Sequence, residues 1–268
     1  MITNAQIKTI ASLKQKKYRN ELNMFVIEGR KMTEELLKSN FQIINICAAK
    51  QWIDDNQELI DRSNIDKNII LEATDKDIAR MSNLSTPDIV LAVVKQPSNN
   101  NRLPLFTKKS ENNSLTDKPA KLVLALDGIN NPGNLGTIIR IAAWFGIKDI
   151  VCSENTVDCY NPKVLQSTMG AIFHTNVVYT DLQAYLEQNI HTNIYGTVLL
   201  NGKNIYDQPL KKEGIIIIGS ESHGISKEIL PYINNPLTIP SFSENKNVES
   251  LNASVACGIV LSEFMHRQ

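Results

Sequence analysis

The residues best suited to chemistry lie in three turn-rich segments of a 268-residue chain. In Asp127-Gly-Ile-Asn-Asn-Pro-Gly-Asn-Leu-Gly-Thr-Ile-Ile-Arg140 an apolar strand runs through a glycine-bearing turn into a helix. That layout commonly builds a ligand site at the carboxyl end of a sheet, with helix N–H groups aimed outward. Asn134 can cap the helix. Arg140 lies six residues further on, where its guanidinium could reach a phosphate, sit on the surface or pair with a carboxylate. In Ile215-Ile-Ile-Ile-Gly-Ser-Glu-Ser-His-Gly-Ile-Ser226 an apolar strand ends at Gly219, and Gly224 follows five residues later. Glycines there let a ligand approach the backbone. Glu221 stands at the strand's carboxyl end as a ligand contact or a loop organiser. His223, a single histidine in a turn with no evident orienting partner, reads as structural. The third segment is Ile239-Pro240 followed by Ser250-Leu-Asn252, where Ser250 and Asn252 by themselves amount to helix caps.

The elements that must position these residues follow from periodicity. Residues 5–20 form a basic helix, followed by a strand at Met24-Phe-Val-Ile27, a helix over Lys31 to Lys38, and a strand at Ile43 to Ala48. A third strand, Ile69-Ile-Leu71, precedes a short helix near Asp75–Met81 and a buried-type strand, Ile89-Val-Leu-Ala-Val-Val94. This alternation describes a small α/β domain, residues 1–96. Residues 97–119 are polar apart from Leu103, Leu105 and Phe106 and read as a solvated linker. Residues 120–268 hold further strands at Lys121 to Leu126, Ile150 to Cys152, Asn176 to Tyr179, Ile194 to Leu199 and Gly214 to Ile218. Helices are expected over Leu135 to Phe145, Pro162 to Gly170 and Leu251 to Met265. The fold class is α/β, with a mainly parallel, layered second domain.

Composition bounds the function. No apolar run approaches the roughly 20 residues of a membrane span. The amino terminus lacks the basic start and apolar stretch of a signal peptide. Cys47, Cys152, Cys159 and Cys257 are widely spread with no Cys-x-x-Cys pair, which fits buried, reduced thiols in a cytoplasmic protein. The four histidines are equally scattered, so nothing has metal-ligand spacing and no metal is expected. With 28 basic and 28 acidic residues, net charge does not favour nucleic acid. The distribution favours it slightly, since Lys8, Lys14, Lys16, Lys17, Arg19, Arg30 and Lys31 face only Glu21 and Glu28 in the first 31 residues. A solvated helix face explains the same cluster. The absence of Gly-x-Gly-x-x-Gly argues against a dinucleotide-dependent oxidoreductase, and the absence of Gly-Lys-Ser/Thr excludes a P-loop.

In their order, the three segments closely resemble the signatures of the SpoU-type RNA ribose 2′-O-methyltransferases, over roughly residues 121–265. The first 95 residues resemble a substrate-binding domain often found ahead of that catalytic domain, through Leu13-Lys, Lys17-Tyr-Arg and Phe25-Val-Ile-Glu-Gly29. The resemblance implies a ribosomal-protein-like RNA-binding domain, a deep trefoil knot in the catalytic domain, and a homodimer with active sites near the interface. S-adenosylmethionine would be the cofactor, held by backbone groups near Gly219, Ile239 and Leu251. Arg140 matches the family's catalytic arginine, and Asn134, Glu221, Ser250 and Asn252 match its other polar site positions. A guanidinium, which stays protonated in proteins, suits orientation of the ribose and stabilisation of a developing alkoxide better than proton abstraction, which is the alternative role. RNA contacts are expected from Lys14, Lys16, Lys17, Arg19 and Arg30. Ribosomal RNA is favoured over transfer RNA because of the appended domain. A non-catalytic RNA-binding or ribosome-assembly factor on the same scaffold is the alternative from another class. The stretch Ser241 to Glu249 is longer than the family's usual spacing and lacks its customary glycine, so it bears on how the cofactor edge is covered.

Overall fold

A computed structural model describes residues 2–97, 103, 104, 106, 122–243 and 250–266. It divides into two compact units, residues 1–101 with 158–174, and residues 102–157 with 175–268. The expected linker, 97–119, falls almost wholly outside the described residues, as does 244–249 of the long loop.

In the first unit, α1 (Asn4–Ser12) opens on a capping box between Thr3 and Gln6. Then come α2 (Lys16–Leu22), β1 (Met24–Glu28), α3 (Arg30–Leu37), β2 (Ile43–Ala48), α4 (Lys50–Asp55), α5 (Gln57–Arg62), β3 (Ile70–Glu72), α6 (Asp75–Met81) and β4 (Val90–Lys95). The sheet order is β1-β4-β2-β3, antiparallel except for the parallel β2–β3 pair. Alternation along the strands sends Val26, Cys47, Leu91 and Val93 into a core with Ile7, Ile10, Leu13, Ile78 and Met81 of α1, its cap and α6.

The helix expected over residues 5–20 is two helices, and Arg19 supplies the reason. Its Nη1 donates to the carbonyls of Leu13 (3.0 Å) and Lys14 (2.8 Å), which the end of α1 leaves without intrahelical partners. Its Nε and Nη2 donate to Asp158 Oδ2 at 3.1 and 2.6 Å. Arg19 is 2% exposed, so its expected role as an RNA contact is corrected: every direction of its guanidinium is spent inside the unit.

In the second unit, β5 (Leu122–Asp127), α7 (Pro132–Trp144) and β6 (Asp149–Ser153) follow one another. Residues 158–174, including α8 (Pro162–Thr168), cluster with the first unit. There Tyr160 stacks on Phe25 with ring centroids 4.4 Å apart, and Phe173 meets Phe41 edge-on at 5.2 Å. The second unit resumes with β7 (Asn176–Thr180), α9 (Leu182–Gln188), β8 (Ile194–Thr197), β9 (Lys203–Asn204), β10 (Gly214–Gly219), β11 (Asn235–Thr238) and α10 (Ala253–His266). Its seven-stranded sheet runs β7-β6-β5-β10-β8-β11-β9, and every pairing is parallel. Both faces are covered, which is why β5 and β10 read as unbroken apolar runs. Val123, Ala125, Ile215 and Ile217 face Leu182, Tyr185 and Leu186 of α9, while α7 and α10 pack against each other.

Two described pieces of the expected linker are anchored rather than solvated. Tyr185 Oη donates to the Pro104 carbonyl at 2.8 Å, and Phe106 N donates to Asn189 Oδ1 at 3.0 Å. All four cysteines are free and buried, and burial pushes the thiols of Cys47 and Cys257 up to about 12. Among the described residues no helix is long and apolar enough to cross a membrane.

Removing Arg19 strands a largely buried carboxylate and two helix-end carbonyls. Arg19→Ala is expected to lower unfolding stability by about 3 kcal/mol. The exposed Arg30–Asp88 pair (3.0 Å) makes the comparison, since Arg30→Ala should cost at most about 1 kcal/mol. Equal denaturation midpoints for the two variants would contradict this assignment.

Candidate active site

The first chemistry-bearing segment is held from behind by hydroxyls. Gly128 turns the chain with φ +66°, a region that favours glycine. Its N–H donates to Ser153 Oγ at 2.9 Å, and the next N–H, of Ile129, donates to Thr156 Oγ1 at 3.3 Å. Val157 N then donates to the Ile129 carbonyl at 2.9 Å. Ser153 and Thr156 are buried and were not singled out from sequence, because nothing in a strand-end serine or threonine announces which backbone it will meet. Helix α7 starts at Pro132, one of the few positions where proline suits a helix. Its N-cap is Asn131, whose Oδ1 accepts from Gly133 N (2.8 Å) and Asn134 N (3.3 Å). Asn134 is therefore not the cap expected of it. It lies within the first turn, buried, with its amide free to work elsewhere.

The second segment closes on itself. At the end of β10, Ser220 and Gly224 exchange backbone hydrogen bonds of 3.0 and 2.9 Å. A Cβ on Gly219 would come within 2.2 Å of the Gly224 carbonyl carbon, so only glycine permits this closure. His223 uses its backbone N–H on Ser220 Oγ at 3.2 Å and leaves its ring exposed. Ser226 N donates to Asp127 Oδ2 at 2.7 Å. Asp127, 6% exposed, thus ties the loop after β10 to the neighbouring strand β5. It is a second organiser that sequence patterns do not single out.

These supports bring three of the expected site residues together. Glu221 Oε1 accepts from Asn134 Nδ2, from Asn252 Nδ2 at 2.5 Å and from Ala253 N at 3.3 Å. Asn252 Nδ2 also reaches Asn134 Oδ1 at 3.0 Å. The other side of Asn252 caps α10, its Oδ1 accepting from Ser254 N (3.0 Å), Ser254 Oγ (2.6 Å) and Val255 N (3.3 Å). A carboxylate at the start of a 14-residue helix also meets the positive end of its dipole.

Arg140 is not part of this cluster. It lies six residues beyond Asn134, about 9 Å along the helix and about 120° around it. Its side chain is exposed and makes no hydrogen bond or ion pair among the described residues. Ser250 is exposed just ahead of the cap. Ile239 is half-buried just after β11, and Leu251 is exposed. Strands β10, β8 and β11 are neighbours, so the loops after Gly219, Thr197 and Thr238 share one carboxyl edge of the sheet. Thr238 Oγ1 donates to the Val198 carbonyl at 2.8 Å, and a Cβ on Gly202 would lie 2.1 Å from Thr238 Oγ1. This edge offers close-set backbone groups, exposed apolar side chains at Leu199 and Leu251, and a half-buried Ile239. Such a donor set fits a heteroaromatic ring with a polar rim better than it fits a cation. Among the described residues no group of three His, Cys, Asp or Glu side chains could hold a metal ion.

Of the basic residues expected at an RNA surface, Lys14, Lys16 and Lys17 are exposed, with Lys17 Nζ 5.8 Å from the centre of the Tyr18 ring. Arg30 is exposed but bonded to Asp88, and Arg19 is buried.

Comparison with known proteins bears on both units. The sequence pattern of the SpoU rRNA Methylase family matches residues 121–262, and that of the MRM3-like substrate binding domain matches residues 4–92. The chain is 30% identical over 261 residues to the 23S rRNA (guanosine(2553)-2′-O)-methyltransferase RlmP of Bacillus subtilis, covering 96% of this chain and 95% of that one. A solved structure from Porphyromonas gingivalis, assigned to the TrmH family of RNA methyltransferases, superposes with a TM-score of 0.83 at 29% identity and covers both chains completely. The AdoMet-bound rRNA methyltransferase from Sinorhizobium meliloti has the same fold, with a TM-score of 0.83 at 23% identity over 99% of this chain and 96% of that one. The chain belongs to the SpoU rRNA methylase family.

Proposed function

We propose that the protein transfers a methyl group from S-adenosylmethionine to a ribose 2′-hydroxyl of ribosomal RNA, acting in the cytoplasm. The observation that carries this reading is the convergence of Asn134, Glu221 and Asn252, from three separate segments, at the carboxyl edge of a parallel sheet. The 2′-O specificity and the preference for ribosomal over transfer RNA draw on the likeness to the Bacillus subtilis enzyme and on the substrate-binding match at residues 4–92. The cofactor draws on the AdoMet-bound structure of the same fold.

Gly219, Ile239 and Leu251 are the residues proposed to hold S-adenosylmethionine, through backbone groups and apolar contact. When bound, the cofactor supplies a methyl group already activated on a sulfonium. The chain must then bring the ribose oxygen in line and tolerate the charge that develops as its proton leaves. Arg140 has the chemistry for this. Its guanidinium is a permanent cation with a planar set of donors, exposed and uncommitted among the described residues. It is proposed to orient the ribose and its phosphate and to stabilise the alkoxide. Glu221, Asn134 and Asn252 are proposed to hold the cofactor loop and the start of α10 in register, with Ser250 exposed beside them for the substrate. Lys14, Lys16 and Lys17 are proposed to meet RNA phosphates. Arg30 can join them only by loosening its bond to Asp88.

The homodimer and the trefoil knot belong to the same proposal. Support for the dimer is a groove of about 450 Å³ between α7 and α10, lined by Thr137, Ile141, Val255, Gly258 and Ile259. Gly258, with Ser254 and Ser262 along the same groove, lets another backbone come close. Support for the knot is membership of the SpoU family; the strand order, in which β5, β10, β8 and β11 are neighbours, shows crossovers between them.

Arg140→Ala should slow methyl transfer about 100-fold or more while calorimetry still finds S-adenosylmethionine bound with near-normal affinity. Near-normal turnover would remove Arg140 from the mechanism. Asn134→Ala and Asn252→Ala should be non-additive in stability, coupled by about 1 kcal/mol; strict additivity in a double-mutant cycle would dissolve the proposed network. Replacing Lys14, Lys16 and Lys17 together by Ala should make the plot of log affinity for RNA against log salt shallower by about 2. An unchanged slope would mark that face as merely solvated.

A further inference from the structure

Helix α7 ends on an aromatic side chain that the reaction, as described, does not use. Trp144 is 85% exposed. Tryptophan normally buries its ring and brings a large apolar area to whatever covers it, so such exposure on a structured helix calls for an occupant. Its neighbours indicate which one. Arg140 and Trp144 are four residues apart, about 40° around the helix and about 6 Å along it, so the two side chains rise from one face. Between residues 128 and 148 there is no acidic residue, and Arg140 and Lys148 are the only charged ones. Both are exposed and neither forms an ion pair among the described residues. An aromatic plane one helical turn from an uncommitted guanidinium matches a nucleotide, which pairs a flat base with an anionic phosphate.

We propose that Trp144 is a stacking platform for an unpaired RNA base, next to the ribose that Arg140 orients. This rests on the reading that RNA is the substrate, and it adds a residue that decides how the target nucleotide is presented. Thr137 and Ile141, which line the groove between α7 and α10, lie on the same stripe of α7 as Trp144, so the oligomeric state is measured alongside RNA binding. Stacking is tolerant of base identity because every base has a π-face. Trp144 therefore sets how firmly the nucleotide is held, and loop contacts elsewhere select which one it is.

The protein carries its own reporter. Its two tryptophans are Trp52 and Trp144, and Trp52 is 1% exposed, so acrylamide quenching of the intact chain reads Trp144. Saturation with unmodified ribosomal RNA should protect the emission. Trp144→Ala should raise KM for RNA roughly tenfold, more than it lowers kcat, with Trp144→Phe recovering most of the loss. The oligomeric state by sedimentation should not change. Methyl transfer by wild-type protein whose tryptophan stays equally quenchable with RNA bound would overturn the inference alone. So would a Trp144→Ala variant that changes oligomeric state without raising KM. Failure of the wild-type protein to methylate any RNA, with no protection, would overturn both this inference and the function it rests on.

Discussion

One oxygen of Glu221 holds the site together. It accepts hydrogen bonds from the side chains of Asn134 and Asn252 and from the backbone of Ala253. Those donors come from the first turn of α7 and from the start of α10, while Glu221 itself sits on the loop after β10. A single acceptor thereby fixes the relation of three segments far apart in sequence. The surrounding structure makes that convergence possible. Ser153 and Thr156 set the turn before α7, and Asp127 sets the loop that presents Glu221. Gly219 permits the closure on Gly224 that no larger residue would allow. The parallel sheet contributes the frame, because neighbouring strands that all point one way deliver their loops to one edge.

The first unit follows a similar economy. From within α2, Arg19 holds the two carbonyls left at the end of α1 and binds a carboxylate from residues 158–174, a segment lying in sequence between strands of the second unit. Burial makes this pairing demanding, since a guanidinium out of water must have its donors met. The aromatic contacts of Tyr160 and Phe173 with Phe25 and Phe41 add apolar area to the same attachment. The exposed lysines at residues 14, 16 and 17 lie just ahead of this anchored arginine. A rigid support beneath a charged surface suits recognition of structured RNA, whose shape is read through its backbone.

Much of this was legible in the amino-acid sequence, for identifiable physical reasons. β5 and β10 are apolar runs flanked by glycine and polar residues, and α6 carries its own capping box at Thr74 and Asp77. What escaped depends on partners distant in sequence. The break between α1 and α2 is made by Arg19 reaching back to carbonyls and across to Asp158, and no periodicity signals it. The cap of α7 is Asn131, one residue ahead of Pro132; Asn134 resembles a cap in sequence because it stands just ahead of the apolar Leu135. Strand β9 has only two residues, too few for any alternating pattern to show. Ser153, Thr156 and Asp127 act on backbone groups supplied by other strands. Trp144 is plain in the sequence, but only the structure shows it uncovered.

Methylation of a ribose in ribosomal RNA is tested most directly by transfer of labelled methyl from S-adenosylmethionine to unmodified ribosomal and transfer RNA pools, followed by nucleoside analysis of the labelled product. The predicted result is a 2′-O-methylated nucleoside in the ribosomal pool and little label in the transfer RNA pool. Label on a base rather than a ribose, label confined to transfer RNA, or no transfer to either pool by protein that binds the cofactor would contradict it.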